Sequence, residues 1–272
     1  MYLPPVIKIE ERQDLNVTHL AKSSSYTQES SELCQGQAFK EWVQKVDEQW
    51  TKKHENYQDK LMVLAPFAVG EALILKNIVN LSLPQAAASI IGGWLLADLV
   101  TGAVHCFFDN FPITSKDYQS LSFLEERALT FQGHHYFPNK VTKSSYWFLT
   151  QDSYLLALPA LAVGGILSFY GYDTSACLVG ITALLSAQAH YTHALSHGRN
   201  AKNLLVKFLQ RTGLIISPDV HHIHHKGPEH AANYCIFNGH MNGVLDSLVS
   251  MGSRSYNFFR KWCGTKPEQK CD

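Results

Sequence analysis

The sequence predicts an all-α, multi-pass membrane protein with about four transmembrane helices and a His-rich cap on the cytoplasmic side. Three observations predict it. Charged residues make up 17% of the chain, against about a quarter in soluble proteins. Long stretches between residues 61 and 197 carry almost no charge. Twelve of the 14 histidines, from His105 to His240, lie in or after those stretches, grouped at their ends.

Residues 1–60 form a polar segment. Pro4-Pro5, Ser23-Ser24-Ser25 and Ser30-Ser31 leave residues 1–36 without a periodic apolar face. Phe39, Trp42, Val43, Val46 and Trp50 then recur at three- and four-residue spacing, which predicts an amphipathic helix within 38–60. That helix either packs on its own domain or lies on a membrane surface with its tryptophans at headgroup depth. Met1-Tyr-Leu-Pro-Pro5 lacks the basic and apolar regions of a secretory signal, and acids flanking the Ser-rich stretch 23–31 argue against a transit peptide. The six cysteines, Cys34, Cys106, Cys177, Cys235, Cys263 and Cys271, form no CxxC pair. A thiolate zinc site and a disulfide framework are both disfavoured, and a reducing compartment fits. Lys+Arg and Asp+Glu balance at 23 each, so charge points to no nucleic-acid partner.

The membrane domain is expected over 61–250, with a C-terminal tail over 251–272. Leu61–Leu83 is apolar but interrupted by Glu71 and Lys76. Gln85–Val104 carries only Asp98 and has about the length a bilayer core requires. Tyr154–Tyr170 and Ser175–Ala189 are uncharged, and the turn Gly171-Tyr-Asp-Thr174 makes them an antiparallel pair. Buried helices of a soluble protein are the alternative; several uncharged stretches in one chain favour spans. Four spans place every histidine from His105 to His240 on one membrane face. Lys140, Lys143, Arg199, Lys202, Lys207 and Arg211 share that face, which the positive-inside rule makes cytoplasmic or its equivalent.

Six histidines lie within 217–240: His221, His222, His224, His225, His230 and His240. Ile, Pro, Tyr and Phe interleave them, unlike a surface His tract. Neutral imidazole is the commonest metal ligand, and such a cluster repels itself when protonated. His193 and His197 are four apart, on one helical face. His105 and Asp109 share that spacing. With His134-His135 and His221-x-x-His224-His225, the boxes offer eight imidazoles: His105, His134, His135, His193, His197, His221, His224 and His225. One zinc takes four ligands; eight imidazoles suit two first-row metals, and iron is the one that activates dioxygen. Asp98 and Asp109 are expected in the second shell, accepting from a ligand's other ring nitrogen; polar packing between spans is the alternative for Asp98. A metal pair at the mouth of a span bundle faces a lipid chain, and the reaction implied is removal of two unactivated hydrogens or insertion of a hydroxyl.

Ala97-Asp-Leu-Val-Thr-Gly-Ala-Val-His105 resembles the AD-x-x-[ST]-G-x-x-H box of the Kua/CarF family of lipid desaturases. That family includes plasmanylethanolamine desaturases and the plant plastid phosphatidylglycerol desaturase. Phe131-Gln-Gly-His-His135, His193-Ala-Leu-Ser-His197, Ser217-Pro-Asp-Val-His221-His-Ile-His-His225 and Asn233-Tyr-Cys-Ile-Phe-Asn-Gly239 with Asp246 are similar to its remaining boxes. The resemblance covers about residues 85–250. It implies a di-iron acyl-lipid desaturase with those eight histidines as ligands and Asn233 in the second shell. It also implies dioxygen, and electrons from cytochrome b5 or ferredoxin. His190, His222, His230 and His240 fall outside the ligand positions. Val220 stands where animal and many bacterial members have a further histidine, as in the plant-type branch. Gln151 or Asp152 would supply a polar residue that the family often places in the next helix. A lipid hydroxylase with the same cage and a non-enzymatic, zinc-binding or regulatory membrane protein are the alternatives. Plastid, endoplasmic reticulum and bacterial inner membranes satisfy the same physics.

Overall fold

The computed structural model describes residues 41, 44, 45, 60–113, 120–226 and 232–263. The amphipathic helix expected within 38–60 therefore lies almost wholly outside the described residues. The helices below belong to one compact unit, Val46–Asp272. The described residues contain nine α-helices and no strand: α1 (Lys60–Ile78), α2 (Leu83–Asp109), α3 (Phe123–Tyr136), α4 (Tyr146–Phe169), α5 (Asp173–Ala187), α6 (Ala189–Ser196), α7 (Leu204–Arg211), α8 (Pro218–Lys226) and α9 (Asn242–Cys263).

Helices α1, α2 and α4 are long and apolar enough to cross a membrane. Their 19, 27 and 24 residues extend roughly 28, 40 and 36 Å at about 1.5 Å per residue, against a hydrocarbon core of about 30 Å. The fourth apolar stretch is the shorter α5, of 15 residues, which breaks at Gln188 before α6. Start signals are local: Gln85 Oε1 accepts from the Ser82 N–H ahead of α2, and Ser145 Oγ accepts from the Phe148 N–H in α4.

The bundle is built for lipid. Helix α4 packs on α5 and α1, and α5 also packs on α1 and α2. Inward faces carry small residues, among them Gly70, Ser89, Gly93, Ala97 and Gly164, which let the helices approach closely. Val63, Leu73, Tyr154, Leu161 and Leu184 fill the space between them. Large apolar side chains face outward instead: Leu75, Ile91 and Ile166 are 65%, 58% and 58% exposed. A soluble helix bundle would bury such residues.

Two boundaries differ from the sequence reading in ways that matter. Helix α2 does not end at Val104 but runs on to Asp109, so His105 stands on the span itself rather than in a loop. Helix α9 runs from Asn242 to Cys263, past residue 251 where the tail was expected to begin.

Candidate metal centre

The site begins with one face of α2. Ala97, Asp98, Thr101, Gly102 and His105 are all buried there, as three- and four-residue spacing requires. Below the cap this face packs on the small residues of the bundle; above, it turns into the cage. Helix α3 brings His134 and His135 on its last turn. Gln132 holds that turn to the end of α2, donating to the carbonyls of Phe108 and Phe111 at 3.1 and 2.8 Å. Helix α6 brings His193, with His197 as its C-cap, and α8 brings His221, His224 and His225.

These side chains converge into two groups. The first is His134, His193, His197, His221 and His225. Their Nε2 atoms approach to 2.9 Å (His134–His197), 2.8 Å (His193–His221), 3.1 Å (His197–His193), 3.0 Å (His221–His197) and 3.0 Å (His225–His221). The second is His105, Asp109, His135 and His224. Asp109 Oδ2 lies 3.2, 3.1 and 3.3 Å from Nε2 of His105, His135 and His224. The groups abut, because His134-His135 and His224-His225 each send one ring to either side; the rings of His135 and His225 are 4.9 Å apart.

The spacing tests whether metal ions fit. Metal–nitrogen bonds of about 2.0–2.1 Å put ligands at right angles roughly 2.9 Å apart, and tetrahedral ligands roughly 3.4 Å apart. Both groups show that range. Imidazoles without a cation cannot all satisfy one another at such distances, since each contact needs one proton between two lone pairs. Asp109 Oδ1 is also buried without a hydrogen-bond partner among the described residues. Five imidazoles in one group, and three imidazoles with a carboxylate in the other, are donor sets that transition metals accept.

Electrostatics favours the ligand form. Burial, and then the neighbouring imidazoles, hold His134, His193 and His221 well below the usual histidine range. The same causes lower His197 to about 4. Burial also lowers His224, against hydrogen bonds to Asp109 and the Ala232 carbonyl. These five rings are therefore neutral at ordinary pH, as coordination requires.

Second-shell order comes from the strap 232–241 that crosses α2. Ala232 O accepts from His224 Nδ1 at 2.8 Å, and Tyr234 O from His105 Nδ1 at 2.9 Å. Each bond puts the proton on Nδ1 and aims Nε2 into the second group. The Tyr234 ring packs on both histidines, 5.9 Å from His105 and 5.2 Å from His224. Asp98 pins the strap: Oδ1 accepts from the N–H groups of Phe237, Asn238 and Gly239, and Oδ2 from that of Met241. Gly102 lets the strap lie close, since a Cβ there would meet Cys235 Sγ at 2.6 Å. Gly239 turns it at φ +83°, with Val220 where a side chain would go.

All eight histidines singled out in the sequence come together here. The three polar residues behave differently from expectation. Asp109 does not stand behind a ligand ring; its carboxylate sits among the ring nitrogens as an equal member of the second group. Asp98 accepts from no ligand ring, because its oxygens are taken by the strap's backbone. Asn233 contributes its backbone: it turns at φ +60°, between the two carbonyls that orient His224 and His105, and its N–H donates to Asp246. Of the two candidates on α4, Asp152 pairs with Arg127 and Gln151 is buried, and neither joins a ligand group. His190 stays outside the cage, bonded to Ser153 at 2.7 Å and packed on Phe131, with burial lowering it to about 4. His222 is exposed on α8, and His240 bonds to the Gly213 carbonyl. His230 lies outside the described residues.

Known proteins are similar to this chain. Over 167 residues the chain is 33% identical to "Fatty acid desaturase 4, chloroplastic" of Arabidopsis thaliana, covering 60% of this chain and 48% of that protein. It is 29% identical over 160 residues to "Plasmanylethanolamine desaturase" of Myxococcus xanthus, covering 58% and 55%. It is 24% identical over 215 residues to "Plasmanylethanolamine desaturase 1" of Mus musculus, covering 72% and 75%. The chain thus spans about half the length of the plant and bacterial relatives, at 48% and 55%. No solved structure matches it. Residues 94–270 match the family model described as "Lipid desaturase domain", and on that match the chain belongs to this lipid desaturase family.

Proposed function

We propose that this protein is an integral-membrane, di-iron acyl-lipid desaturase that introduces a double bond into a lipid-linked chain. The observation that carries the reading is the pair of abutting ligand groups at ligand–ligand spacing, on the face of a bundle whose outer surface is apolar. The overall change is –CH2–CH2– + O2 + 2 e⁻ + 2 H⁺ → –CH=CH– + 2 H2O, with the electrons arriving from cytochrome b5 or ferredoxin. Bound iron supplies activation of dioxygen, which removal of hydrogen from an unactivated chain requires and no acid or base side chain provides.

The chain's own residues do the rest. His134, His193, His197, His221 and His225 would hold one ion, and His105, Asp109, His135 and His224 the other. Tyr234 and Ala232 fix the rings of His105 and His224 in the second group through their carbonyls. Phe108 and Phe131 stack at 5.1 Å, with Phe131 also packed on His105 at 5.4 Å, and so exclude water from one wall. A lipid chain can reach this level. Val100, Val104 and Phe107 are 45%, 38% and 50% exposed on the side of α2 away from the cage. The outer surface of α2 thus stays apolar past His105, so an apolar surface reaches the level of the centre.

The test is lipidomics of a host expressing the chain beside its His193→Ala variant. Desaturation predicts lipids lighter by two hydrogens in the first host and absent in the second. Lipids heavier by one oxygen would identify a hydroxylase instead. Unchanged lipids with zinc as the only bound metal would point to a non-enzymatic protein.

A further inference from the structure

Helix α7 has three faces. At about 100° per residue, Leu204, Phe208 and Leu205 occupy one arc, Val206 and Gln210 a second, and Lys207 and Arg211 a third. The second arc faces the protein: Val206 packs with Leu195 and Ile215, and Gln210 donates to the Leu195 carbonyl. The first arc covers nothing. Leu204, Leu205 and Phe208 are 80%, 64% and 58% exposed, and Leu214 just beyond is 46% exposed. The third arc is cationic and exposed, as is Lys202 before the helix, and no acid occurs from Arg199 to Ser217. The following turn is stitched to the midpoint of α2, where the Trp94 indole N–H donates to the Leu214 carbonyl at 3.1 Å.

We propose that α7 is an in-plane anchor, seated in the headgroup layer of an anionic leaflet, with Leu204, Leu205 and Phe208 in the acyl region and Lys202, Lys207 and Arg211 on lipid phosphates. Apolar exposure beside uncompensated cations on one short helix is the pattern of interfacial helices that bind anionic lipid. A protein partner, or a second copy of this chain, would cover the apolar arc without needing the cations. The anchor rests on membrane insertion alone and stands whether or not the centre oxidises lipid. It also fixes the height of the cap, since α7 packs on the end of α6 that carries His193 and His197.

The experiment is photocrosslinking of the full chain, reconstituted in vesicles of equal phosphatidylcholine and phosphatidylglycerol, with benzoylphenylalanine at Phe208 or, in a second preparation, at Leu205. The expected result is lipid adducts, with phosphatidylglycerol favoured about threefold or more at low salt. The K202Q/K207Q/R211Q chain should fall to equal capture of the two lipids. Adducts to a second copy, or no lipid adduct at either position, would overturn the proposal. Equal capture of the two lipids by the chain with its cations intact would overturn it as well.

Discussion

The two ligand groups are built differently. In the second, His105 and His224 are each tied by Nδ1 to a strap carbonyl, and a carboxylate sits among the ring nitrogens. In the first, the contacts run between the rings themselves. One group is therefore held open by the fold, and the other coheres through whatever sits among five imidazoles. Preorganisation implies that the second group keeps its shape when emptied and the first loosens. It also implies different sensitivities. The second depends on a strap anchored more than a hundred residues away in sequence, and the first on the protonation state of its own rings.

The largest effect that would break this contrast comes from Asp98. Asp98→Ala leaves four N–H groups of the strap, two buried and two part-buried, without their acceptor, at a cost of about 3 kcal/mol or more. The strap carbonyls should then release His105 and His224. Metal titration of the purified variant should show about 10- to 100-fold weaker binding at the second group, the usual cost of losing orienting partners. Equal weakening at both groups would erase the distinction.

Acid should act on the first group more. His197 is lowered to about 4 from the ordinary 6.5, and His134, His193 and His221 lie well below that value. Between about 6.5 and 4 the unfolded chain binds protons that the fold excludes. Stability of the metal-free protein should therefore fall as pH drops through that window, and level off once the folded rings also protonate. Thermal unfolding in detergent from pH 7.5 to 4.5 measures it; a flat profile would mean that the rings are already charged. With metal bound, ions should leave the first group before the second.

The smallest effect sharpens the account of the strap. Asn233 sits at φ +60°, a conformation that glycine adopts freely and a β-branched residue does not. Asn233→Gly should leave melting temperature and metal affinity nearly unchanged. Asn233→Val should lose about 1–3 kcal/mol and weaken the second group. If the glycine variant fails as badly, the asparagine side chain has a role of its own.

The contrast also marks what the sequence made legible. All eight histidines could be picked out because helical spacing and family boxes report which side chains share a face. The same spacing put Asp109 beside His105, four residues earlier, but spacing does not distinguish a ligand from its support. Asp98 was conspicuous as an acid in an apolar run, yet its partners are backbone N–H groups at 237–241, and backbone partners leave no trace in residue identity. The carbonyls of Ala232 and Tyr234 were invisible for the same reason. The end of α2 was misplaced at Val104 because His105 and Asp109 interrupt its apolar run without interrupting its helix. Helix α7 went unread because eight residues of mixed character sit inside what hydropathy presents as a polar loop.

The central claim is that nine side chains form two adjacent sites for two metal ions. The direct measurement is metal content of the purified full chain by elemental mass spectrometry, beside H193A/H221A, D109A/H224A and the combined variant. Two irons per chain, one in either pair variant and none in the combined variant, is the predicted result. A single ion in the native chain, or two ions surviving loss of either pair, would contradict it.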